Sequence, residues 1–346
     1  MRKRNILVAF AASVAALALA APDALADPAP AGPRILVGVG SDTTQDVMNG
    51  LAAATATGGR IGSYDATGAA TLPNTKSGTD CAAVARPVGS RNGVAALVAS
   101  RQTAQTAGVR PCVDFARSSA DLSQDPQFAN TALTFIPFAG DQVSYVTRRD
   151  SALPTTLTTA QLAAIYNCTA AGTIANPPTI LPLLPQAGSG TRSFFLASIG
   201  VTTPGACVSA QDPTNPAVGL IENNGVKLTD PRMIAPYSVA QFNSQYYKAV
   251  TDVKGPAELR RVGGAVPGSA AFPFKREVFN VVPTGELGDP NISAIFVGSN
   301  DASDLCNQGS VITQFGFTQL DPARCGAIVP ALQSSGTSTD LTGPSL

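Results

Sequence analysis

The chain has 346 residues, 44% hydrophobic and 13% charged, with 32 glycines, 27 prolines, six cysteines and no histidine. That length favours two cores over one. The equal count of 23 basic and 23 acidic residues argues against a general nucleic-acid surface, and the missing histidine excludes Ser-His-Asp, Cys-His and histidine-based acid/base chemistry.

The chain opens as an export signal. Met1 to Arg4 are basic, Ile6 to Ala20 form an apolar run too short to span a bilayer, and Ala24-Leu25-Ala26 fits a small-x-small cleavage site. Residues 1–26 are therefore expected to be removed after Ala26, giving a secreted or periplasmic protein with no lipid anchor, since no cysteine lies near that bond. Arg2, Lys3, Arg4 and Asp23 leave with the signal, so the remainder carries a net charge of −2. Residues 27–33 (DPAPAGP) read as a flexible leader.

Arg34 to Val39 read as a strand ending in a glycine turn, GVGSDTT, with a helix from Thr43 to Ala54. A third glycine and a following acidic residue are missing, which discounts a dinucleotide fold. A second turn, VGSRNG, opens the helix VAALVAS; VRPCVDFA is a short strand that delivers Arg117, Ser118 and Ser119 to its carboxyl end. Arg117 reads equally well as a ligand contact or as an ion pair with Asp114 or Asp121. TFIPF and DQVSYVT are β-rich segments expected to break at Ala139-Gly140, and LTTAQLAAIYNCT is a helix capped by Thr158. Thr179 to Leu184 feed a third turn, AGSGTRSFF, where the Ser189 and Thr191 hydroxyls, the free N–H groups of a helix start and the Arg192 guanidinium could meet one small anion. Gly-Ser turns also cap helices with no ligand, and Arg192 reads alternatively as a solvated first-turn residue. The stretch from Val201 to Asp230 is loop-rich and carries no signal. Ile234 to Ala249 are a strand and a helix capped by Ser238, Phe272 to Val282 a strand, NISAIFVG a short helix, and 332–346 a disordered tail.

The six cysteines, Cys81, Cys112, Cys168, Cys207, Cys306 and Cys325, all follow the signal and read as disulfides in an exported chain. Sequential pairing is expected, because each pair then falls within one lobe. Zinc is the alternative, disfavoured by the absence of C-x-x-C and of histidine.

Taken in order, these motifs resemble the phosphate-binding proteins of high-affinity ABC phosphate transporters. GVGSDTT, VGSRNGV, VDFARSSADL, IPFAGDQVSYVT, LTTAQLAAIYNCT, AGSGTRSFF and MIAPYSVAQF are similar to successive motifs of that family, across roughly Ile35 to Pro283. The resemblance implies an α/β, two-lobed type 2 periplasmic-binding-protein fold, with mixed sheets flanked by helices and a ligand cleft between the lobes. Lobe one would comprise 34–136 and 238–331, and lobe two 137–237. It also implies a monomeric, non-enzymatic solute-binding protein without cofactor or metal, which takes phosphate or a similar oxyanion and works with an ABC permease. Carried over by position, the site is Asp42, Thr43, Ser90, Ser119, Ser189, Gly190 and Thr191. Two departures stand out: Pro185 occupies the family's arginine position, and Ser119 its aspartate position. Arg117 or Arg192 would then supply the positive charge and Asp42 the acceptor for a protonated ligand. The rival readings are a secreted phosphoester hydrolase using Ser119 or Ser189 with Asp42, and an envelope or interaction protein that keeps the fold without transport.

Overall fold

The computed structural model describes residues 27, 34–54, 59–76, 81–169, 179–298 and 302–336. The export signal, its cleavage bond, 28–33 and the tail from 337 lie outside the described residues.

The first lobe starts with strand β1 (Leu36–Gly40), helix α1 (Gln45–Ala53), strand β2 (Ile61–Ser63), helix α2 (Ser90–Ala107) and strand β3 (Phe115–Ser118). Strand β4 (Leu133–Arg148) then crosses to the second lobe. There follow β5 (Thr156–Leu157), α3 (Thr159–Tyr166), β6 (Leu181–Pro182), α4 (Gly190–Ser198), β7 (Gln211–Asp212), β8 (Asn215–Gly219) and β9 (Met233–Ser238). Helix α5 (Val239–Tyr246), β10 (Ala257–Leu259) and β11 (Arg261–Val262) precede β12 (Lys275–Pro283), which returns to the first lobe and its helices α6 (Pro290–Phe296) and α7 (Gly309–Gln314).

The main sheet runs β2-β1-β3-β12-β4-β9-β6, with β10 also on β4. Strands β1, β2 and β3 are parallel, whereas β12 runs antiparallel to both β3 and β4. Side chains alternate across the first-lobe half, as a pleated strand requires. Leu36, Phe115 and Ile136 face a core built with α1, α6 and α7, while Val37, Ala116 and Phe135 face one built with α2. In the second lobe Tyr145 packs with α3 and α4, and Val146 packs on the opposite face with Leu183, Tyr237 and Ala257.

Three expectations are corrected here. Ala139-Gly140 does not interrupt the strand: β4 is continuous over 16 residues, because β12 pairs with it on one side and Thr318 exchanges backbone hydrogen bonds with Gly140 on the other. The register does shift beside it: Val278 pairs with Ala139 but Phe279 with Pro137, so Phe138 of β4 is the extra residue of a bulge. The span 238–331 is not all lobe one: Ala240 of α5 packs in a first-lobe core, but Ala257, Val262, Phe272 and Phe274 pack in second-lobe cores before β12 crosses back. Finally, residues 332–336 are packed rather than disordered. Leu332 is buried, and the Ser334 hydroxyl accepts the Leu133 N–H at 2.9 Å.

Local predictions hold at two helix starts. The Thr158 hydroxyl accepts the Gln161 N–H while the Gln161 side chain accepts that of Thr158, a reciprocal cap; Ser238 caps α5 through the Gln241 N–H. The cysteines pair sequentially, as Cys81–Cys112, Cys168–Cys207 and Cys306–Cys325. Among the described residues no helix is long and apolar enough to cross a membrane, and no His/Cys/Asp/Glu group could hold a metal ion.

Candidate functional site

The topology brings four chain turns to one point between the lobes. The carboxyl end of β1 delivers Ser41, Asp42 and Thr43; the start of α2 delivers Ser90; the end of β3 delivers Ser118 and Ser119; the start of α4 delivers Ser189, Gly190 and Thr191. Ligands of open α/β sheets gather at such carboxyl ends. Each local structure has a sequence cause. Gly89, before α2, sits at φ +89°, a left-handed conformation that glycine adopts freely. Ser189 caps α4, its hydroxyl accepting the Arg192 N–H at 3.0 Å.

Four of the hydroxyls at this point pair with one another, while Ser41 Oγ is buried without a partner. Thr43 Oγ1 and Thr191 Oγ1 are 3.2 Å apart across the lobes, and Ser90 Oγ lies 3.2 Å from Ser119 Oγ. Asn223 Nδ2 donates to Thr43 Oγ1 at 3.0 Å. Groups in direct hydrogen-bonding contact leave no space between them for a tetrahedral anion, so this is a closed cleft. Gly190 is part of the closure, since a Cβ there would stand 2.4 Å from Ser90 Oγ and 2.5 Å from Ser119 Oγ. Gly190→Ala is therefore expected to wedge the lobes apart, at a cost of about 1–3 kcal/mol for overpacking. Small-angle scattering should show a larger radius of gyration for the variant; an unchanged radius would contradict this packing.

The charges at the site differ from those the sequence points to. Arg117 is fully buried, but its guanidinium turns to the ends of β1 and β2, donating to Ser41 O, Gly38 O, Ser63 Oγ and Tyr64 O at 2.7–3.3 Å. Burial lowers its pKa to about 10, against the opposing charges of Asp65, Asp46 and Asp42. Arg192 Nη1 donates to Pro185 O at 3.0 Å, back toward the loop that precedes α4. Neither guanidinium forms a hydrogen bond with the hydroxyl cluster.

Arg276 does. At the start of β12 it pairs in register with Asp141 of β4, and its Nε and Nη2 reach Asp141 Oδ2 at 3.0 and 2.7 Å. Nη2 also donates to Thr191 Oγ1 at 3.0 Å, and the ring of Phe194 lies 5.6 Å from the guanidinium carbon. The side chains of Arg276 and Asp141 are 2% and 0% exposed. Asp141 further accepts Ser238 Oγ and the Ala240 N–H, so the ion pair also ties down the start of α5. Arg276 Nη1 is buried without a hydrogen-bond acceptor.

The second unforeseen group is Glu222, from the loop after β8. Its Oε2 accepts Ser189 Oγ at 2.8 Å and the Thr191 N–H at 3.2 Å, and no amide, hydroxyl or cation donates to its Oε1. Asp42 faces it from lobe one. Burial first, then the Glu222 charge and a side-chain hydrogen bond between the two carboxyls, hold Asp42 well above the usual range. Burial also raises Asp46, and raises Asp65 to about 6. These carboxyls line one cavity of about 410 Å³ together with Gln241 and Gln245. Arg276 and Asp141 instead line a separate cavity of about 480 Å³ with Lys275.

Of the sequence-predicted set, Thr43, Ser90, Ser119, Ser189, Gly190 and Thr191 come together, with Asp42 beside Glu222. Arg117 and Arg192 point elsewhere. Arg276 is hidden in sequence as one charge in an alternating strand. The only available signal for Asp141 is a carboxylate in an otherwise apolar run. Glu222 has none beyond its type.

No protein-family model matches the chain, and no curated protein matches it. Among solved structures, an ABC-type phosphate transport receptor from Vibrio cholerae is 16% identical, with a TM-score of 0.52, over 82% of this chain and 100% of that one. A phosphate ABC transporter substrate-binding protein from Clostridium perfringens, solved with bound phosphate, is 15% identical with a TM-score of 0.52, over 83% of this chain and 99% of that one. At such identities the likeness is one of fold: the chain has the two-lobed α/β architecture of periplasmic phosphate-binding proteins.

Proposed function

We propose that this protein is an exported solute-binding protein that captures an inorganic oxyanion, phosphate first, between its lobes for ABC-type uptake. The observation that carries this reading is the convergence of hydroxyls from both lobes and two helix N-termini at the cleft, where the buried Arg276 donates to Thr191 Oγ1. Thr43, Ser90, Ser119, Ser189 and Thr191 offer donors, the starts of α2 and α4 offer N–H groups and positive dipole ends, and Arg276 replaces the arginine missing at Pro185. A buried anion needs such charge-assisted bonds to offset its desolvation. As the lobes part, hydroxyls now bonded to each other are released to the ligand, and closure around it follows from its contacts to both sides.

Binding is favoured over hydrolysis by the two solved structures of like fold, a phosphate transport receptor and a phosphate substrate-binding protein. Calorimetric titration with phosphate and sulfate across pH 5–8 tests the proposal. Saturable binding of phosphate is expected, and absence of binding to either anion would sink it. A second reading, an envelope or interaction protein that kept the fold without transport, draws support from Glu222, whose carboxylate already fills the α4 start. That reading predicts no binding to either anion.

A further inference from the structure

Glu222 holds the α4 start as a bound anion would. Its carboxylate takes the Ser189 hydroxyl and the Thr191 N–H, bonds that an oxyanion in lobe two would use, at a helix N-terminus whose dipole favours negative charge. The residue is 5% exposed, no amide, hydroxyl or cation donates to its second oxygen, and its carboxylate shares a side-chain hydrogen bond with the Asp42 carboxyl. The following residue explains how it is held. Asn223 adopts φ +60°, a left-handed turn that asparagine tolerates better than most side chains. Four hydrogen bonds fix that turn: Asn223 Nδ2 donates to Thr43 Oγ1 and Oδ1 accepts the Ser238 N–H, while its carbonyl accepts Tyr237 Oη at 2.5 Å and Gln245 Nε2 at 2.9 Å. A turn fixed from both lobes aims the preceding carboxylate at the cleft.

We propose that Glu222 is the specificity-determining residue of the cleft, a tethered carboxylate that occupies lobe two's anion site until an oxyanion bonding both lobes displaces it. The identity of the displacing ligand rests on the oxyanion reading above; the occupancy does not. A tethered group competes at an effective concentration in the millimolar range or higher, so a free anion that meets only the α4 start is excluded. A tetrahedral anion that also reaches Ser90, Ser119 and Arg276 has the additional contacts to win. The 410 Å³ cavity that Glu222 lines provides room for the displaced side chain. Asp42, Asp46 and Asp65 line the same cavity, with Arg117 behind them. Entry of the displaced carboxylate among these groups sets a further threshold that weakly bound anions fail to cross.

The test is titration of full-chain wild type, Glu222→Ala and the near-isosteric Glu222→Gln with sodium phosphate, sodium sulfate and sodium acetate. Phosphate is expected to bind Glu222→Ala at least tenfold more tightly than wild type, with Glu222→Gln shifted in the same direction. Acetate is expected to bind Glu222→Ala and not wild type, because it refills the vacated site. Unchanged or weaker phosphate binding by both variants, with wild type binding phosphate, overturns the proposal and leaves the oxyanion reading standing. If no form binds phosphate or sulfate but Glu222→Ala takes acetate, the occupancy stands and the oxyanion reading falls. Failure of every form, wild type included, to bind any of the three anions overturns both.

Discussion

Replacing Arg276 with alanine is expected to lower the free energy of unfolding by about 3–5 kcal/mol, the cost of leaving a buried charge without its partner. Asp141 is the stranded group: its side chain is fully buried, and three of its hydrogen bonds come from Arg276 and Ser238. Urea denaturation of the two proteins measures the effect. The same substitution removes the donor to Thr191 Oγ1 and, on the oxyanion reading, the only cation in hydrogen-bonding contact with the hydroxyl cluster among the described residues, so phosphate affinity should fall with it. The double substitution Arg276→Met with Asp141→Leu separates the two consequences. An apolar pair of similar volume is expected to recover stability while anion binding stays lost. A loss below about 1 kcal/mol for Arg276→Ala would show that the pair behaves like an exposed one.

Arg117→Ala is expected to be comparably damaging to the fold, for a different reason. Its guanidinium is the shared donor to three backbone carbonyls and the Ser63 hydroxyl, and buried acceptors left without a donor each cost about 1–3 kcal/mol. The loss should also depend on pH. Burial raises the Asp65 carboxyl to about 6 in the folded protein, and the Arg117 charge holds it from rising further. A carboxyl raised on folding contributes stability that is present below its unfolded pKa and lost as pH rises through the folded value. Removing Arg117 raises that folded value again. The variant's deficit relative to wild type should therefore be larger at pH 7.5 than at pH 5, as read by thermal or urea unfolding at both. A pH-independent deficit would contradict the coupling between Arg117 and Asp65.

What sequence made legible was local. A glycine at positive φ before α2, a serine cap before α4, and the reciprocal Thr158–Gln161 cap are each written within a few adjacent residues, so the turns that converge in the cleft could be named before their convergence was known. Charge placement was not local. Arg276 meets Asp141 across 135 positions, through the register of two antiparallel strands, and neither residue's neighbours record that pairing. Arg117 was visible at the end of its strand, but strand position does not say whether a long side chain turns to the cleft or back over the carbonyls of β1. Glu222 lies in a stretch without periodicity, where a left-handed asparagine and bonds from both lobes decide its direction. Ala139-Gly140 looked like a break because small residues weaken isolated strands, whereas neighbours on both edges hold this one extended.

The disulfides carry a mechanical consequence. Cys81–Cys112 and Cys306–Cys325 close on the first-lobe cores, and Cys168–Cys207 closes beside the second-lobe helices α3 and α4. No disulfide bridges the cleft, so backbone crossings such as β4 and β12 are what join the two stapled bodies covalently. Oxidation therefore hardens each body against unravelling yet leaves the swing between them governed by weak, reversible contacts alone.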